Sequence, residues 1–174
     1  MSMGDWTEGE FTTKDGVHFL ACGRGQSPRG LRKREARPDY IVIDDLDDDE
    51  LCRNPRRVRE ITDWVKEALF GALDVGRGRF IMVGNLISKT SVLADICKTK
   101  GVHVSEVKAV DGEGNPTWRE KWTKEEARTY AEFVGYRAWE KEMMHNPITE
   151  GTVFKQEWIK YAKHPAWREF DELV

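Results

Sequence analysis

The amino-acid sequence predicts an α/β fold with a largely parallel sheet and flanking helices. Two near-continuous apolar segments, 40–43 and 80–83, are rich in β-branched and aromatic residues, which is typical of strands buried on both faces. A helical pattern separates these segments, and another follows the second one. Strands that alternate with helices in this way favour a parallel sheet.

The N-terminal part is predicted to form a hairpin. Residues 8–12 alternate weakly between apolar and polar, Asp15-Gly16 is a turn pair, and residues 17–22 have the pattern of a strand. A glycine-rich basic loop, 23–30, follows and leads to the first buried strand.

Between the two buried strands the apolar residues recur with helical spacing. From Pro55 to Leu73 they form one face, which predicts an amphipathic helix that ends at Gly76-Arg77-Gly78. The residues of this face are Val58, Ile61, Trp64, Val65, Ala68, Leu69, Ala72 and Leu73.

The second half of the chain is predicted to add two helices and a strand. A helix over 91–100 has Ser88 or Thr90 as its cap, and 102–110 alternates like a strand exposed on one face. Thr123 and Glu126 have the spacing of a capping box, which predicts a helix that runs from there to about Met144.

Composition limits the class of protein. The chain has 174 residues, enough for one domain with a tail, and its net charge of −3 excludes a global basic field. Its three cysteines lack metal-ligand spacing, which favours a reducing compartment. No 18-residue apolar run and no signal-peptide core is present, so the sequence predicts a cytoplasmic protein without membrane contact.

The strand 40–43 ends in Asp44-Asp45, the pattern of a Walker B motif. There the first acid holds Mg²⁺ and the second activates water for ATP hydrolysis, at the sheet edge where α/β proteins bind ligands. An apolar strand that ends in an acidic turn is also common, and the acids from Asp47 to Glu50 alternatively form a solvated turn and a helix start.

The strand 80–83 ends in Gly84-Asn85, where P-loop ATPases of the ASCE class place a polar residue near the γ-phosphate; an ordinary turn asparagine is the alternative. Residues 84–90 resemble a P-loop, G-x-x-x-x-G-K-[ST], but are one residue short and carry Ser88 at the second glycine. The chain is therefore predicted to lack a Walker A motif, the half of the site that binds phosphate.

These motifs together suggest a family. Residues 23–30, then Arg37-Pro38-Asp39 and the strand that ends at Asp45, resemble the large terminase subunit of tailed phages. Segments 135–142 and 146–148 look like the end of that family's ATPase domain, and 151–155 is similar to its lead into the nuclease domain. The resemblance covers residues 6 to 162.

The resemblance implies roles for single residues. Asp44 would be the Mg²⁺ ligand, and Asp45 stands where the family more often has a catalytic Glu with a longer side chain. Gly84-Asn85 would be the coupling motif. Arg29 would be an arginine finger for a neighbouring subunit, and the alternative is a loop arginine that pairs with the acidic run.

The resemblance also implies a viral DNA-packaging ATPase of which this chain is a fragment or remnant. Residues 1–148 would be the C-terminal half of the ATPase domain, a partial P-loop NTPase-like (ASCE) sheet without its P-loop strand, and 149–174 a linker toward an absent nuclease domain. Mg²⁺ and ATP would bind in the intact parent protein and not tightly to this chain, which we expect to be inactive alone. The implied partners are double-stranded DNA, the portal and the small terminase subunit, in the host cytoplasm.

Without a P-loop strand, the strand 80–83 is expected to expose an edge, which favours self-association, rearrangement or marginal stability. A different class of function stays open: a non-enzymatic nucleic-acid-binding or interaction module that grips phosphates with the basic stretch 24–37. A metal-dependent nuclease that uses the acids of 44–50 ranks last, because two-metal sites gather acids from separate elements.

Overall fold

The computed structural model describes residues 6–7, 9–26 and 37–148, and this part of the chain is a mixed α/β structure with two small sheets. The first sheet is antiparallel, with strand order β1-β2-β3, and the second is a parallel pair of β4 and β5. The strands are β1 (Trp6–Thr7), β2 (Glu10–Thr12), β3 (His18–Leu20), β4 (Tyr40–Asp44) and β5 (Arg79–Val83). The α/β class is confirmed, and parallel pairing is confined to β4 and β5 within the described residues.

The predicted N-terminal hairpin is confirmed. Gly16 has a positive φ of 84°, which a residue with a side chain rarely adopts, and this lets Asp15-Gly16 make the turn. The amide of Gly16 donates to the carbonyl of Thr13 at 3.0 Å. The additional strand β1 pairs with β2, and two residues were too short a segment to predict.

A run of helices connects β4 to β5, as the apolar spacing predicts. Asn54 caps α2 by accepting from the amides of Arg56 and Arg57, and Pro55 takes the first helical position, where no amide is needed. The run consists of α1 (Asp49–Cys52), α2 (Pro55–Asp63), a first π-helix (Trp64–Leu69) and α3 (Phe70–Ala72).

One apolar core joins these helices to a single face of the parallel pair. Its fully or nearly buried members are Ile43, Leu51, Val58, Val65, Leu69, Val92 and Ile96. The prediction that both strands are buried on both faces is wrong, because β4 and β5 alternate between exposed and covered side chains. Within the described residues the helices cover one face, and the other face stays open.

The region after β5 departs most from the predicted elements. Helix α4 (Val92–Cys97) is shorter than predicted, and Ser91, rather than Ser88 or Thr90, caps it. The predicted strand 102–110 is wrong: its residues form no strand, and only Val110 makes an isolated bridge, with Pro116. Alternation alone does not make a strand when no neighbouring strand satisfies its backbone groups.

The predicted C-terminal helix begins as expected and is then interrupted. The capping box of Thr123 and Glu126 is complete and opens α5 (Lys124–Val134). Gly135, with a positive φ of 80°, then breaks the helix before α6 (Tyr136–Ala138) and a second π-helix (Trp139–Met143).

One edge of the parallel pair is formed by β5. In the part of the chain that the structure describes, β5 pairs only with β4, so its second edge has no partner strand there. Self-association through that edge stays a prediction.

No helix among the described residues is both long and apolar enough to cross a bilayer. The tail 149–174 lies outside the described residues.

Candidate functional site

A polar pocket lies where the two parallel strands end. Because β4 and β5 run in the same direction, with Asp44 in register with Val83, their carboxyl ends meet at one sheet edge. The pocket there has a volume of ≈ 260 Å³. It is lined by Asp45, Leu46, Asp47, Met82, Val83, Gly84, Asn85, Ile87, Leu93 and Glu142.

The two acids of the Walker B-like pair take different positions. Asp44 is the last residue of β4; it is exposed and does not line the pocket. Asp45 has a left-handed φ of 44°, and its amide donates to the carbonyl of Val83 at 3.1 Å. Aspartate tolerates this conformation better than most residues. The turn therefore brings Asp45 into the pocket and leaves Asp44 outside it.

Asn85 joins Asp45 in the pocket and contacts a distant part of the chain. Its side-chain Nδ2 donates to Oε2 of Glu142 at 3.2 Å. Glu142 lies on the second π-helix, so this bond connects the end of β5 to the last described helical segment. Such short π-helical insertions are frequent at functional sites.

Lys141 extends this contact into a small charged network. Its Nζ donates to Oδ1 of Asp49 at 2.6 Å and lies 3.3 Å from Oε1 of Glu142. The hydrogen bond that Lys141 donates to Asp49 raises the pKa of Lys141 more than partial burial lowers it. The network ties α1, the end of β5 and the second π-helix together.

The pocket itself is acidic. Asp45, Asp47 and Glu142 line it, and no lysine or arginine among the described residues does. Phosphate groups carry negative charge, so these carboxylates would repel a nucleotide unless a cation lay between them. The described part of the chain contains no group of three or more His, Cys, Asp or Glu side chains arranged to hold a metal ion.

Asp47 has a structural role that sequence reasoning did not identify. Its carboxylate accepts from the amides of Val92 at 2.9 Å and Leu93 at 2.8 Å, and so joins the turn after β4 to the start of α4. Asp47 and the start of α4 are far apart in sequence, and no local sequence pattern predicts that they pair. Only the fold brings them together.

The other acids of the run also serve the fold. Asp48 caps α1, and its pKa is lowered by the amide of Leu51 and then by the guanidinium of Arg24. Asp49 pairs with Lys141, and Glu50 pairs with Arg57 at 3.3 Å. The helix start expected within residues 47–50 is therefore observed at Asp49, whereas Asp47 is half-buried and bound to the start of α4 rather than placed in a solvated turn.

Cys52 lies beside this run and is a poor nucleophile. Burial and the nearby charges of Asp47, Asp48 and Asp49 disfavour its thiolate and raise the pKa of the Cys52 thiol to about 11. A thiol in that state is almost entirely protonated at neutral pH, which argues against cysteine chemistry at this site.

The helix that follows the P-loop-like segment 84–90 has its first two amides already hydrogen-bonded. In a P-loop the amides at the start of the following helix face the phosphate. Here the amides of Val92 and Leu93, at the start of α4, are occupied by the carboxylate of Asp47. These two amides are therefore not free to bind a phosphate, and the lack of a Walker A motif stays a prediction.

The basic stretch 24–37 is described only at its two ends. Arg24 donates through Nη1 to Asp48 at 2.8 Å and to the carbonyl of Leu46 at 3.1 Å, and Arg37 donates to the carbonyl of Gly71 at 3.1 Å. Both guanidinium groups therefore contact the protein itself. Arg29, the predicted arginine finger, lies outside the described residues.

Of the predicted site residues, the structure thus brings Asp45 and Asn85 together, and places Asp44 at the same strand end with its side chain outside the pocket. Glu142 and Lys141 complete the site without having been predicted. No spacing in the sequence connects either one to the end of β5.

Comparisons of the chain with protein-family models, with curated proteins and with solved structures find no match. What the fold and the site define is a mixed α/β protein with an acidic pocket at the ends of two adjacent parallel strands.

Proposed function

We propose that the chain is the second half of an ATPase domain of the phage terminase large-subunit type, a fragment or remnant that carries the Walker B and coupling strands. One observation carries the proposal. Asp45 and Asn85 follow two adjacent parallel strands, and both line a single pocket at the carboxyl ends of those strands. In this class of ATPase the coupling strand neighbours the Walker B strand, as β5 neighbours β4.

The same pocket supports the proposal that the isolated chain is inactive. An ATPase needs backbone amides and a lysine on the β- and γ-phosphates. The lining offers carboxylates instead, and the amides at the start of α4 are already bonded to Asp47. The proposed parent protein, in which ATP, Mg²⁺, DNA, the portal and the small subunit would bind, has to supply the phosphate-binding part.

A Mg²⁺ ion in this pocket would be held mainly by phosphate oxygens and water, because Mg²⁺ takes only one or two carboxylates in such sites. Asp45 and Glu142 are the carboxylates that reach the pocket free of helix amides. Asp44 keeps its role as a metal ligand only through the family resemblance. The ion would neutralise the phosphate charge that this acidic lining repels.

The test is to restore the missing half. The DNA upstream of this gene is read for a frame that encodes G-x-x-x-x-G-K-[ST], and its product is purified together with the full chain. We expect the two proteins together to hydrolyse ATP and the chain alone not to. The substitution Asp45→Asn should lower the rate of hydrolysis by the two proteins about a hundredfold.

Asp63→Asn is the matched control, because Asp63 is exposed at the end of α2 and its side chain makes no capping bond. Its ATPase rate should equal that of the unmodified pair. ATP hydrolysis or tight Mg-ATP binding by the chain alone would contradict the half-site proposal. The terminase assignment would be contradicted if no upstream reading frame encoded a P-loop, or if Asp45→Asn left the ATPase rate of the two proteins unchanged.

A further inference from the structure

Among the described residues, helices cover only one face of the β4–β5 sheet, and the other face is apolar at its centre. Four apolar side chains on it are about half exposed: Tyr40 at 51%, Val42 at 57%, Ile81 at 41% and Val83 at 53%. Val42 and Ile81 are direct partners in the register, so their side chains lie side by side in the middle of this face.

Two opposite charges complete the same face. Side chains alternate between the two faces of a strand, so Arg79 and Asp44 share this face with the four apolar residues, and both are exposed. In the register Arg79 lies opposite Tyr40, where β5 begins, and Asp44 lies opposite Val83, where β4 ends. The two charges therefore occupy diagonally opposite corners. We call these two residues and the four apolar ones the open face.

A parallel sheet with one uncovered face is unusual. Parallel sheets occur almost only with both faces packed, normally by helices. The opposite face follows that rule, because Ile41, Ile43, Phe80 and Met82 belong to the helical core or pack against it. An exposed apolar patch with polar residues at its rim marks a surface that binds another molecule.

The positions of the two charges make the open face complementary to a second copy of itself. A two-fold axis that lies between two stacked sheets and crosses their strands turns the second sheet so that its strands run the opposite way. The start of β5 in one copy then lies near the end of β4 in the other, so Arg79 of each copy meets Asp44 of the other. Packed sheets lie about 10 Å apart, a gap that an arginine and an aspartate side chain span together.

The same charges favour a second copy over an unrelated partner. None of the ion pairs among the described residues uses Arg79 or Asp44. An unrelated protein would need an acid at one corner, a base at the other and an apolar centre between them. A second copy has this arrangement by symmetry.

We propose that the open face is a dimer interface between two copies of this chain, held by the apolar centre and by an Arg79–Asp44 ion pair at each end. The patch is small, and interfaces of this size are weak and transient. We therefore expect a dissociation constant of about 10 μM to 1 mM. The proposal concerns the face of the sheet rather than the free edge of β5, and it is independent of the ATPase proposal.

The test reverses each charge and then mixes the two variants. Small-angle X-ray scattering of the full chain, at concentrations up to about 1 mM, should show the mass rise from that of a monomer toward that of a dimer. Arg79→Asp alone and Asp44→Arg alone should each weaken dimerisation at least about tenfold, because each places like charges opposite one another at both ends of the interface. An equimolar mixture of the two variants should dimerise like the unmodified chain, since each end then joins one arginine and one aspartate.

Lys100→Asp is the matched control, because Lys100 is exposed just after α4, which packs in the helical core. This reversal should leave dimerisation unchanged. Circular dichroism shows whether each variant folds, and if a reversal does not fold, Val42→Glu replaces it and should abolish the dimer. The proposal is overturned by a chain that stays monomeric at about 1 mM, by reversals that do not weaken the dimer, or by folded variants that stay monomeric on mixing.

Discussion

At the scale of single residues, chemically equivalent acids have different tasks. Asp44 is exposed at the end of β4, Asp45 enters the pocket, and Asp47 holds the start of α4. Because charge is expensive inside a core, the sequence predicts that Asp44 and Asp45 lie at the edge of the sheet, and both are exposed at the end of β4. Which acid faces which partner depends on the backbone turn at Asp45, and the sequence pattern does not contain that information.

Asp47→Ala is predicted to destabilise the protein by about 1–2 kcal/mol, because it leaves the amides of Val92 and Leu93 without their acceptor. Asp44→Ala is the matched control and should change the free energy of unfolding by less than about 0.5 kcal/mol, since Asp44 is exposed. Urea denaturation measures both values. Equal effects of the two substitutions would contradict the anchoring role of Asp47.

At the scale of elements, helices with strong local signals form where the sequence predicts them. Asn54-Pro55 starts α2, and the capping box of Thr123 and Glu126 starts α5. The ends and interruptions were harder to predict. The alternation of 102–110 predicts a strand, yet no strand among the described residues pairs with it, and Gly135 interrupts a helix that apolar spacing alone would continue.

The interruption at Gly135 leads to a prediction about glycine conformation. Gly135 has φ 80° and ψ 158°, a region that essentially only glycine adopts, and a Cβ there would meet no atom within 4 Å. Gly135→Ala should therefore destabilise the protein by about 1–3 kcal/mol through backbone strain alone.

Gly71→Ala is the control for this substitution. Gly71 lies in α3, and a Cβ there also meets no atom within 4 Å. Because alanine fits a helix, the substitution should raise stability by about 0.5 kcal/mol. Thermal unfolding measures the stability of both variants. If Gly135→Ala left the stability unchanged, the interruption of the helix would not require glycine.

At the scale of the whole molecule, contacts between distant segments assemble the pocket. The second π-helix reaches α1 through Lys141 and the end of β5 through Glu142. Trp122, Tyr130 and Trp139 add an aromatic cluster that packs this π-helix against α5, with ring centroids 5.2 to 6.4 Å apart. The C-terminal helices thus support the end of the parallel pair.

A double-mutant cycle on Lys141→Met and Asp49→Ala should give a coupling energy of about 0.5–1 kcal/mol at pH 7. The exposed pair of Lys98 and Asp95, at 3.4 Å, is the control and should give less. The pKa of Lys141 is raised above its ordinary value of 10.5. The stability that the charged form of Lys141 adds to the folded state is therefore fully present below pH 10.5, and it is lost as the pH rises beyond that value. Coupling that equals the control at pH 7 would contradict the role of this network.

The sequence by itself determined the local features of this protein: the α/β class, the helix starts at Pro55 and Thr123, and the polar ends of the strands that stop at Asp44 and Val83. These features depend on neighbours within a few residues, through spacing, capping and the cost of buried charge. The tertiary structure alone decided that Asp45 rather than Asp44 enters the pocket, that Asp47 holds α4, and that Glu142 meets Asn85. Those outcomes depend on which distant segments the fold brings within hydrogen-bond distance, and no local pattern encodes such a pairing.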